Sequence, residues 1–144
     1  GLVILGASFR AQSGVPHNTL AAHPIYGQGE SYLLPRGELY RSPATSQLDT
    51  HFSYGRQLSK TTRLEGFIDI FNLFNSQTET DIDEIYTINA ALPIVGGDGE
   101  DLAHAKSTVS RRQTSNVVTK SLNYGKLNAH QAPLTGQLGF RLTF

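Results

Sequence analysis

The side chains of this sequence that could bind a metal ion are concentrated in two acidic stretches, at residues 81–84 and 96–101. Their carboxylates are Asp81, Asp83, Glu84, Asp98, Glu100 and Asp101. Calcium is bound by oxygen ligands, which carboxylates in a glycine-rich loop can supply. Neither stretch has the ligand spacing and closing glutamate of a helix–loop–helix calcium site. We therefore favour solvated surface loops and keep calcium binding as the alternative.

The histidines are scattered along the chain, at His17, His23, His51, His104 and His130. No two of them have the i, i+4 spacing of a zinc-binding helix. On an extended strand His51 shares a face with Asp49, which favours a hydrogen bond over a metal site. The sequence also contains no G-x-S-x-G nucleophile motif and no phosphate-binding loop. We predict no catalytic, metal or cofactor site and expect the protein not to be an enzyme.

The composition narrows the choice of protein class. The 144 residues carry twelve basic and twelve acidic side chains, so no net charge favours binding to nucleic acid. Without cysteine there is no disulfide or thiolate site. Without methionine the chain does not start at its own initiator, and we expect it to be processed or a fragment. No apolar run approaches the roughly 18 residues of a membrane helix, but hydropathy detects barrel strands poorly.

Four segments have the period-two alternation that predicts β-strands. They lie at about residues 2–12, 46–58, 63–75 and 133–144. Each is long enough for a tilted strand to cross a bilayer, which takes about 9–11 residues. In the third segment Glu65 and Asp69 mark one face, and the other face carries Leu64, Ile68, Ile70 and Phe74. We expect the charged face to point inward, because a charge at the lipid midplane costs about 2–4 kcal/mol.

That orientation also turns two aromatic residues of the third segment inward. Phe67 and Phe71 share a face with Glu65 and Asp69. The sequence therefore predicts that both rings pack against something inside the barrel.

The connections between the four segments are very unequal in length. Residues 13–45 and 76–132 form long loops, the second of 57 residues, whereas residues 59–62 form a tight polar turn. Outer-membrane barrels have short periplasmic turns and long extracellular loops. A periplasmic C-terminus would place both long loops outside and the short turn inside. We therefore predict an all-β chain that is a fragment of an antiparallel transmembrane β-barrel.

The last eight residues, QLGFRLTF, resemble the assembly signal of bacterial outer-membrane barrels. Gln137, Gly139, Leu142 and Phe144 occupy the polar, glycine, hydrophobic and terminal aromatic positions of that signal. The resemblance implies that the barrel-assembly machinery recognises the last strand. The physical argument agrees, since a terminal strand leaves an open edge until barrel closure pairs it.

Most of the chain resembles TonB-dependent outer-membrane receptors, in particular their large Oar-like members. The similar segments are LLPRG at 33–37, QLDTHFSYG at 47–55, LEGFIDIFNLFN at 64–75 and NYGKLNAHQAP at 123–133. Leu134 departs from the pattern, where a basic residue is expected. The resemblance implies the last four strands of a barrel of about 22 strands that an N-terminal plug fills. Such a plug would give Phe67 and Phe71 their packing partner.

The loop segments contain aromatic and basic side chains that have two interpretations. Tyr26, Tyr32, Tyr40, Tyr86 and Tyr124 suit an aromatic girdle or loop packing first, and a ligand-binding surface second. Lys106, Arg111, Arg112 and Lys120 make the second loop basic. A solvated loop is the default for these cations, and lipopolysaccharide phosphates or an anionic ligand are the alternative.

We therefore expect part of a TonB-dependent transporter of the bacterial outer membrane, which binds and imports a substrate. The resemblance implies outer-membrane lipid, lipopolysaccharide, the assembly machinery and a TonB-type energy-coupling protein as partners, and no nucleic acid. The substrate-binding residues and the substrate are unknown from the sequence. The alternatives are a passive porin-like barrel and a soluble carbohydrate-binding β-sandwich.

Overall fold

The regular secondary structure of the chain is almost entirely β-strand. The computed structural model describes all of residues 1–144. Its strands are β1 (Leu2–Gln12), β2 (Pro16–His17), β3 (Leu20–His23), β4 (Gly27–Tyr32), β5 (Tyr40–Arg41), β6 (Thr45–Gln57), β7 (Arg63–Phe71), β8 (Glu79–Ile82), β9 (Ile85–Ala90), β10 (Lys106–Val109), β11 (Arg112–Val117), β12 (Leu127–His130) and β13 (Thr135–Thr143). One short 3₁₀ helix covers Asp101–His104. The all-β prediction is confirmed. The chain has no helix with the length and apolarity to cross a membrane, which does not bear on crossing by strands.

The chain divides into two compact units, each assembled from separate segments. The strand unit comprises residues 1–13, 44–78 and 131–144, and the loop unit comprises residues 14–43 and 79–130.

The strand unit is one antiparallel sheet of four long strands in the order β1-β6-β7-β13. β1 has the predicted bounds, β6 begins one residue earlier than predicted, and β13 begins at Thr135 and not at residue 133. Neighbours in the sheet are neighbours among the long strands along the chain, as in a meander. The alternation of side chains along each strand therefore becomes an alternation between two faces of one sheet.

One face, the apolar face, carries a row of aliphatic and aromatic side chains across all four strands. Leu5 pairs with Phe52, Phe52 with Ile68, and Ile68 with Leu138. The reverse is the polar face, where the adjacent row contains Gly6, His51, Asp69 and Gln137.

The third predicted strand is shorter than expected. β7 ends at Phe71, because Asn72 has φ 54° and Asn75 has φ 51°, in the left-handed region that asparagine tolerates better than most residues. The Asn72 side chain, buried to 2% exposure, donates to the carbonyls of Ser76 at 2.9 Å and Ala132 at 2.7 Å. Phe74 therefore lies in a turn, and the prediction that it shares a strand face with Leu64 is wrong.

Phe67 packs within the sheet itself. It pairs with Gly139 on β13, and a Cβ atom at position 139 would overlap the ring of Phe67. The ring of His51 lies on the same face, with its centroid 6.1 Å from that of Phe67. A glycine on the neighbouring strand therefore provides space for part of the Phe67 ring, and a further contact with a plug stays a prediction. Phe71 remains 41% exposed.

The loop unit is a folded body, in which most residues of the two predicted long loops form short strands and turns. Its main sheet has the order β4-β3-β9, with β3 antiparallel to β4 and parallel to β9. Three further antiparallel pairs join β2 with β5, β8 with β12, and β10 with β11. These strands are two to six residues long, too short for their alternation to stand out in the sequence.

A small hydrophobic core holds the loop unit together. Its buried members are Ala21, Leu33, Leu34, Tyr86, Ala91, Leu102, Ala105 and Val118, with Ile94 and Tyr124 packed against them. These residues come from both segments of the unit. Burial of this apolar surface stabilises the body, which is why two long connections fold instead of remaining extended.

Substitution of Gly139 tests the packing of Phe67. We expect Gly139→Ala to destabilise the complete protein by about 1–3 kcal/mol, because the added methyl overlaps the Phe67 ring. Gly136→Ala, in the same strand, is the control, since a Cβ there would meet only the Asp69 carbonyl oxygen at 4.0 Å. The measurement is urea-induced unfolding, and equal midpoints for the two variants would contradict the packing.

Candidate functional site

The apolar face of the strand unit is uncovered. Leu5 is 75% exposed, Phe52 45%, Ile68 44% and Leu138 67%. Further exposed side chains of the face are Val3, Phe9, Tyr54, Leu64, Phe140 and Leu142. Soluble monomers rarely expose a contiguous apolar patch of more than a few hundred Å². A patch that continues across four strands therefore marks a contact surface.

Charged groups are almost absent from this face. The alternation along the four strands gives it one ionisable side chain other than tyrosine, Arg56, near the end of β6. All other charged residues of the four strands lie on the polar face, which also carries the exposed apolar side chains of Leu2, Ile4 and Phe71.

The polar face carries a network of hydrogen bonds. His51 Nδ1 lies 2.6 Å from Asp69 Oδ1, so the predicted hydrogen bond of His51 exists and its partner is Asp69 on the next strand. The Asp49 carboxylate accepts bonds from the Gln47 amide at 2.8 Å and the Asn72 backbone N–H at 2.9 Å. These bonds satisfy His51 Nδ1 and the carboxylates of Asp49 and Asp69, whereas the buried hydroxyl of Ser53 in β6 has no hydrogen-bond partner.

A shallow depression lies over this network. Its volume is about 240 Å³, and its lining includes Gly6, Ser8, Asp49, His51 and Asp69. The small side chains at positions 6 and 8 leave the carboxylates accessible.

The four residues that resemble an assembly signal are divided between the two faces. Gln137 and Gly139 pair with Asp69 and Phe67 on the polar face. Leu142 is on the apolar face, 55% exposed, and Phe144 follows the end of β13 with 89% exposure. The structure gives Gly139 a packing role, and recognition by assembly machinery stays a prediction.

The acidic stretches of the loop unit bind neighbouring polar groups. Glu84 contacts His17 Nδ1 at 3.0 Å and accepts two bonds from Asn18, through the backbone N–H at 3.0 Å and the side-chain amide at 3.2 Å. Asp98 accepts from the Glu100 backbone N–H at 2.9 Å. No three His, Cys, Asp or Glu side chains of the chain are grouped as ligands for a metal ion.

Two of the loop tyrosines are core residues. Tyr86 and Tyr124 meet edge to face, with ring centroids 5.0 Å apart. The Tyr86 hydroxyl donates to the Leu102 carbonyl at 2.9 Å, and the Tyr124 hydroxyl bonds to Thr19 at 2.8 Å. These contacts support loop packing as the interpretation of Tyr86 and Tyr124.

The other three tyrosines contact nearby polar side chains of the loop unit. Tyr26 stacks on His23 at 4.6 Å, Tyr40 on His17 at 5.9 Å, and the Arg36 guanidinium lies 4.4 Å from the Tyr32 ring centroid. Nothing in the sequence beyond the residue types indicated these pairings.

Burial changes the acidity of the two core tyrosines. Desolvation raises the pKa of Tyr86 above the ordinary value of 10.0 for tyrosine. Desolvation also raises the pKa of Tyr124, against the opposing effect of its bond to Thr19. Both hydroxyls therefore stay protonated at neutral pH and remain hydrogen-bonding groups.

The basic residues of the second predicted loop separate into two places. Lys106, Arg111 and Arg112 belong to the β10–β11 hairpin, whereas Lys120 lies 5.4 Å from the Tyr124 ring centroid. Ser110 and Arg111, the two turn residues, have φ values of 48° and 67°. Two-residue hairpin turns with positive φ at both residues favour Asn-Gly, so a Ser-Arg pair is uncommon at these positions.

The strand unit thus defines a class of all-β protein, in which a two-faced antiparallel sheet exposes its apolar side. In sequence, the chain is 33% identical to the TonB-dependent transporter Oar of Myxococcus xanthus over 148 residues. This similarity covers 97% of the chain but only 14% of that transporter. No protein-family model and no solved structure matches the chain. The chain is therefore similar to part of a TonB-dependent transporter, in agreement with the resemblance in its sequence.

The raised tyrosine pKa values predict a loss of loop-unit stability in base. A folded pKa above the unfolded value means that the stabilisation is complete below pH 10.0 and is lost as pH rises through the folded pKa. We expect Tyr86→Phe to remove a late-titrating tyrosine from an ultraviolet titration of the complete protein. The control Tyr26→Phe, at a 75% exposed position, should remove an ordinary one. Identical titration curves for the two variants would argue against burial of Tyr86.

Proposed function

We propose that the strand unit forms four membrane-spanning strands of an outer-membrane β-barrel in a TonB-dependent transporter. The observation that carries the proposal is the continuous, exposed apolar face, with a hydrogen-bonded polar face behind it. A barrel wall needs this division, because one side meets hydrocarbon and the other meets the lumen. The similarity to part of Oar supports the same assignment.

The strand lengths are sufficient for crossing a bilayer. β7 and β13 have nine residues each, β1 has eleven and β6 has thirteen. A tilted transmembrane strand needs about 9–11 residues. Every strand of the sheet therefore has the length that the proposal requires.

The backbone hydrogen-bonding groups at the two edges of the sheet have no partner strand within this chain. β1 and β13 each have a neighbour on one side only, and unpaired backbone groups are costly in hydrocarbon. We propose that strands outside this chain pair with both edges, as closure of a larger barrel requires. In this arrangement the chain is the C-terminal part of the barrel, and the assembly machinery recognises Gln137, Gly139, Leu142 and Phe144.

The proposed orientation follows from the connections. The short turn after β6 faces the periplasm, and the loop unit lies outside the cell, where lipopolysaccharide and substrate are encountered. The polar face lines the lumen, and a plug domain outside this chain occupies it. A TonB-type protein supplies energy through that plug. We propose no catalytic activity for the chain.

The two rival functions differ from this proposal in what covers each face. A passive porin has the same wall but no plug and no energy-coupling partner. A soluble carbohydrate-binding sandwich would cover the apolar face with a second sheet. Within the strand unit no second sheet lies against that face.

Spin labels on adjacent residues of β13 test the membrane assignment. The chain contains no cysteine of its own, so Leu138→Cys and Gln137→Cys can each introduce a label into the complete protein. In lipid vesicles we expect the label at 138 to collide with oxygen, which partitions into hydrocarbon. The label at 137, on the polar face, should collide less with oxygen. Labels at both positions that are shielded from oxygen and from a water-soluble relaxing agent would instead support the sandwich.

The energy-coupling assignment has its own test. We expect the complete protein to form a complex with the periplasmic domain of a TonB-type protein from the same cell. The medium in this experiment contains the substrate. A deletion of the segment preceding the barrel should abolish the complex while the barrel still assembles. Failure to form any complex, together with an intact membrane barrel, would support the porin.

A further inference from the structure

Arg56 is the one charged side chain on the apolar face. It pairs with Leu64 on β7, and Leu64 pairs with Leu142 on β13, so its neighbours in that row are aliphatic. Arg56 is exposed and takes part in none of the ion pairs of the chain. The nearby pair of opposite charges, Arg63 with Glu65, lies on the polar face. The guanidinium of Arg56 therefore has no anionic partner within this chain.

The hydroxyl of Tyr54 is a second polar group near Arg56 at the same end of the apolar face. The register that pairs Leu2 with Gly55 places Gly1 opposite Arg56. A Cβ atom at Gly1 would lie 2.5 Å from the hydroxyl oxygen of Tyr54, so that hydroxyl has reached the level of Arg56. The ring of Tyr54 thus covers apolar surface while its hydroxyl points toward the end of the strand. Amphipathic rings adopt this arrangement at a membrane–water boundary.

A charge on the lipid side of a barrel is tolerated only near the boundary of the hydrocarbon. The cost of Arg or Lys there is about 2–4 kcal/mol at the midplane and about 0–1 kcal/mol near the interface. From Arg56 back to Leu48, at the other end of the same face, the strand rises roughly 26 Å at about 3.3 Å per residue. A tilt of about 40° reduces this to a height of roughly 20 Å, close to the apolar band of about 25 Å in such barrels.

We infer that Arg56, together with the hydroxyl of Tyr54, binds the phosphate group of a membrane phospholipid. The inference rests on the proposed function, which puts the apolar face in the outer membrane. The exposed residues Leu58 and Phe144 directly follow β6 and β13 at this end of the sheet. The long arginine stem can lie along apolar surface while its head reaches the phosphate level. The planar guanidinium donates two parallel hydrogen bonds to a phosphate, which an ammonium group does not.

The position of Arg56 in the sheet indicates which molecule supplies the phosphate. Arg56 is near the short turn between β6 and β7, which the proposed orientation directs to the periplasm. The phosphate is therefore that of a glycerophospholipid in the periplasmic leaflet. A carboxylate from another protein is the competing occupant, and it would protect Arg56 from lipid.

Lipid retention by the complete protein tests the inference. We expect Arg56→Gln to weaken the binding of phosphatidylglycerol, counted by native mass spectrometry after delipidation, by about tenfold, which corresponds to the loss of a charge-assisted hydrogen bond. Arg56→Lys should lose less, because it keeps the charge without the planar fork. A diacyl glycolipid without phosphate should bind the wild type and Arg56→Gln equally.

Arg141→Gln is the matched control. Arg141 pairs with Glu65 at the same end of the sheet but on the polar face. Unchanged phosphatidylglycerol binding in this variant, with reduced binding in Arg56→Gln, would support the inference. Equal binding by Arg56→Gln and the wild type, or equal loss in both variants, would overturn it.

A label at Phe52 separates this inference from the function on which it rests. Phe52 is on the apolar face of the same strand as Arg56. If a Phe52→Cys label reports hydrocarbon and Arg56→Gln retains phosphatidylglycerol, the lipid site alone is wrong. If the label reports water, the membrane assignment is wrong as well.

Discussion

In an antiparallel sheet, a register that pairs Phe52 with Ile68 must also pair His51 with Asp69, because successive side chains point to opposite faces. A slip of one residue in β6 or β7 would turn carboxylates to the side where the apolar side chains now lie, and a slip in β1 or β13 would turn an arginine there. The separation of polar from apolar surface therefore depends on register. The bond between His51 and Asp69 and the fit of Phe67 over Gly139 both favour the observed register.

The two units differ in which of their apolar side chains are buried. The loop unit buries some of its apolar residues in a core of its own, while others such as Val95 and Leu122 are exposed, and bonds to His17 and Asn18 hold the Glu84 carboxylate. The strand unit leaves its largest apolar side chains uncovered, which is unfavourable in water by roughly 25 cal/mol for each Å². The proposed contact of the sheet with hydrocarbon would remove this cost.

Asparagine residues define where the sheet stops. Asn72 turns the chain out of β7, and its side chain binds the carbonyl of Ala132, just before β13. The Asn75 side chain accepts a bond from the backbone N–H of Leu134. The end of β7 and the start of β13 are thus held together by side chains, so the long connection between them leaves the sheet at a fixed point.

The sequence by itself determined the four long strands and the polarity of their faces, because alternation is a local property that each strand carries alone. Only the tertiary structure decided that Phe67 packs over Gly139, that Glu84 binds His17, and that the predicted loops have a core. Each of these features depends on contacts between residues far apart in the chain, and Glu84 and His17, for example, are 67 positions apart. The strands of the loop unit are also too short to show a period in the sequence. Local patterns contain no information on such pairings, since many partners of the same residue type are available until the chain folds.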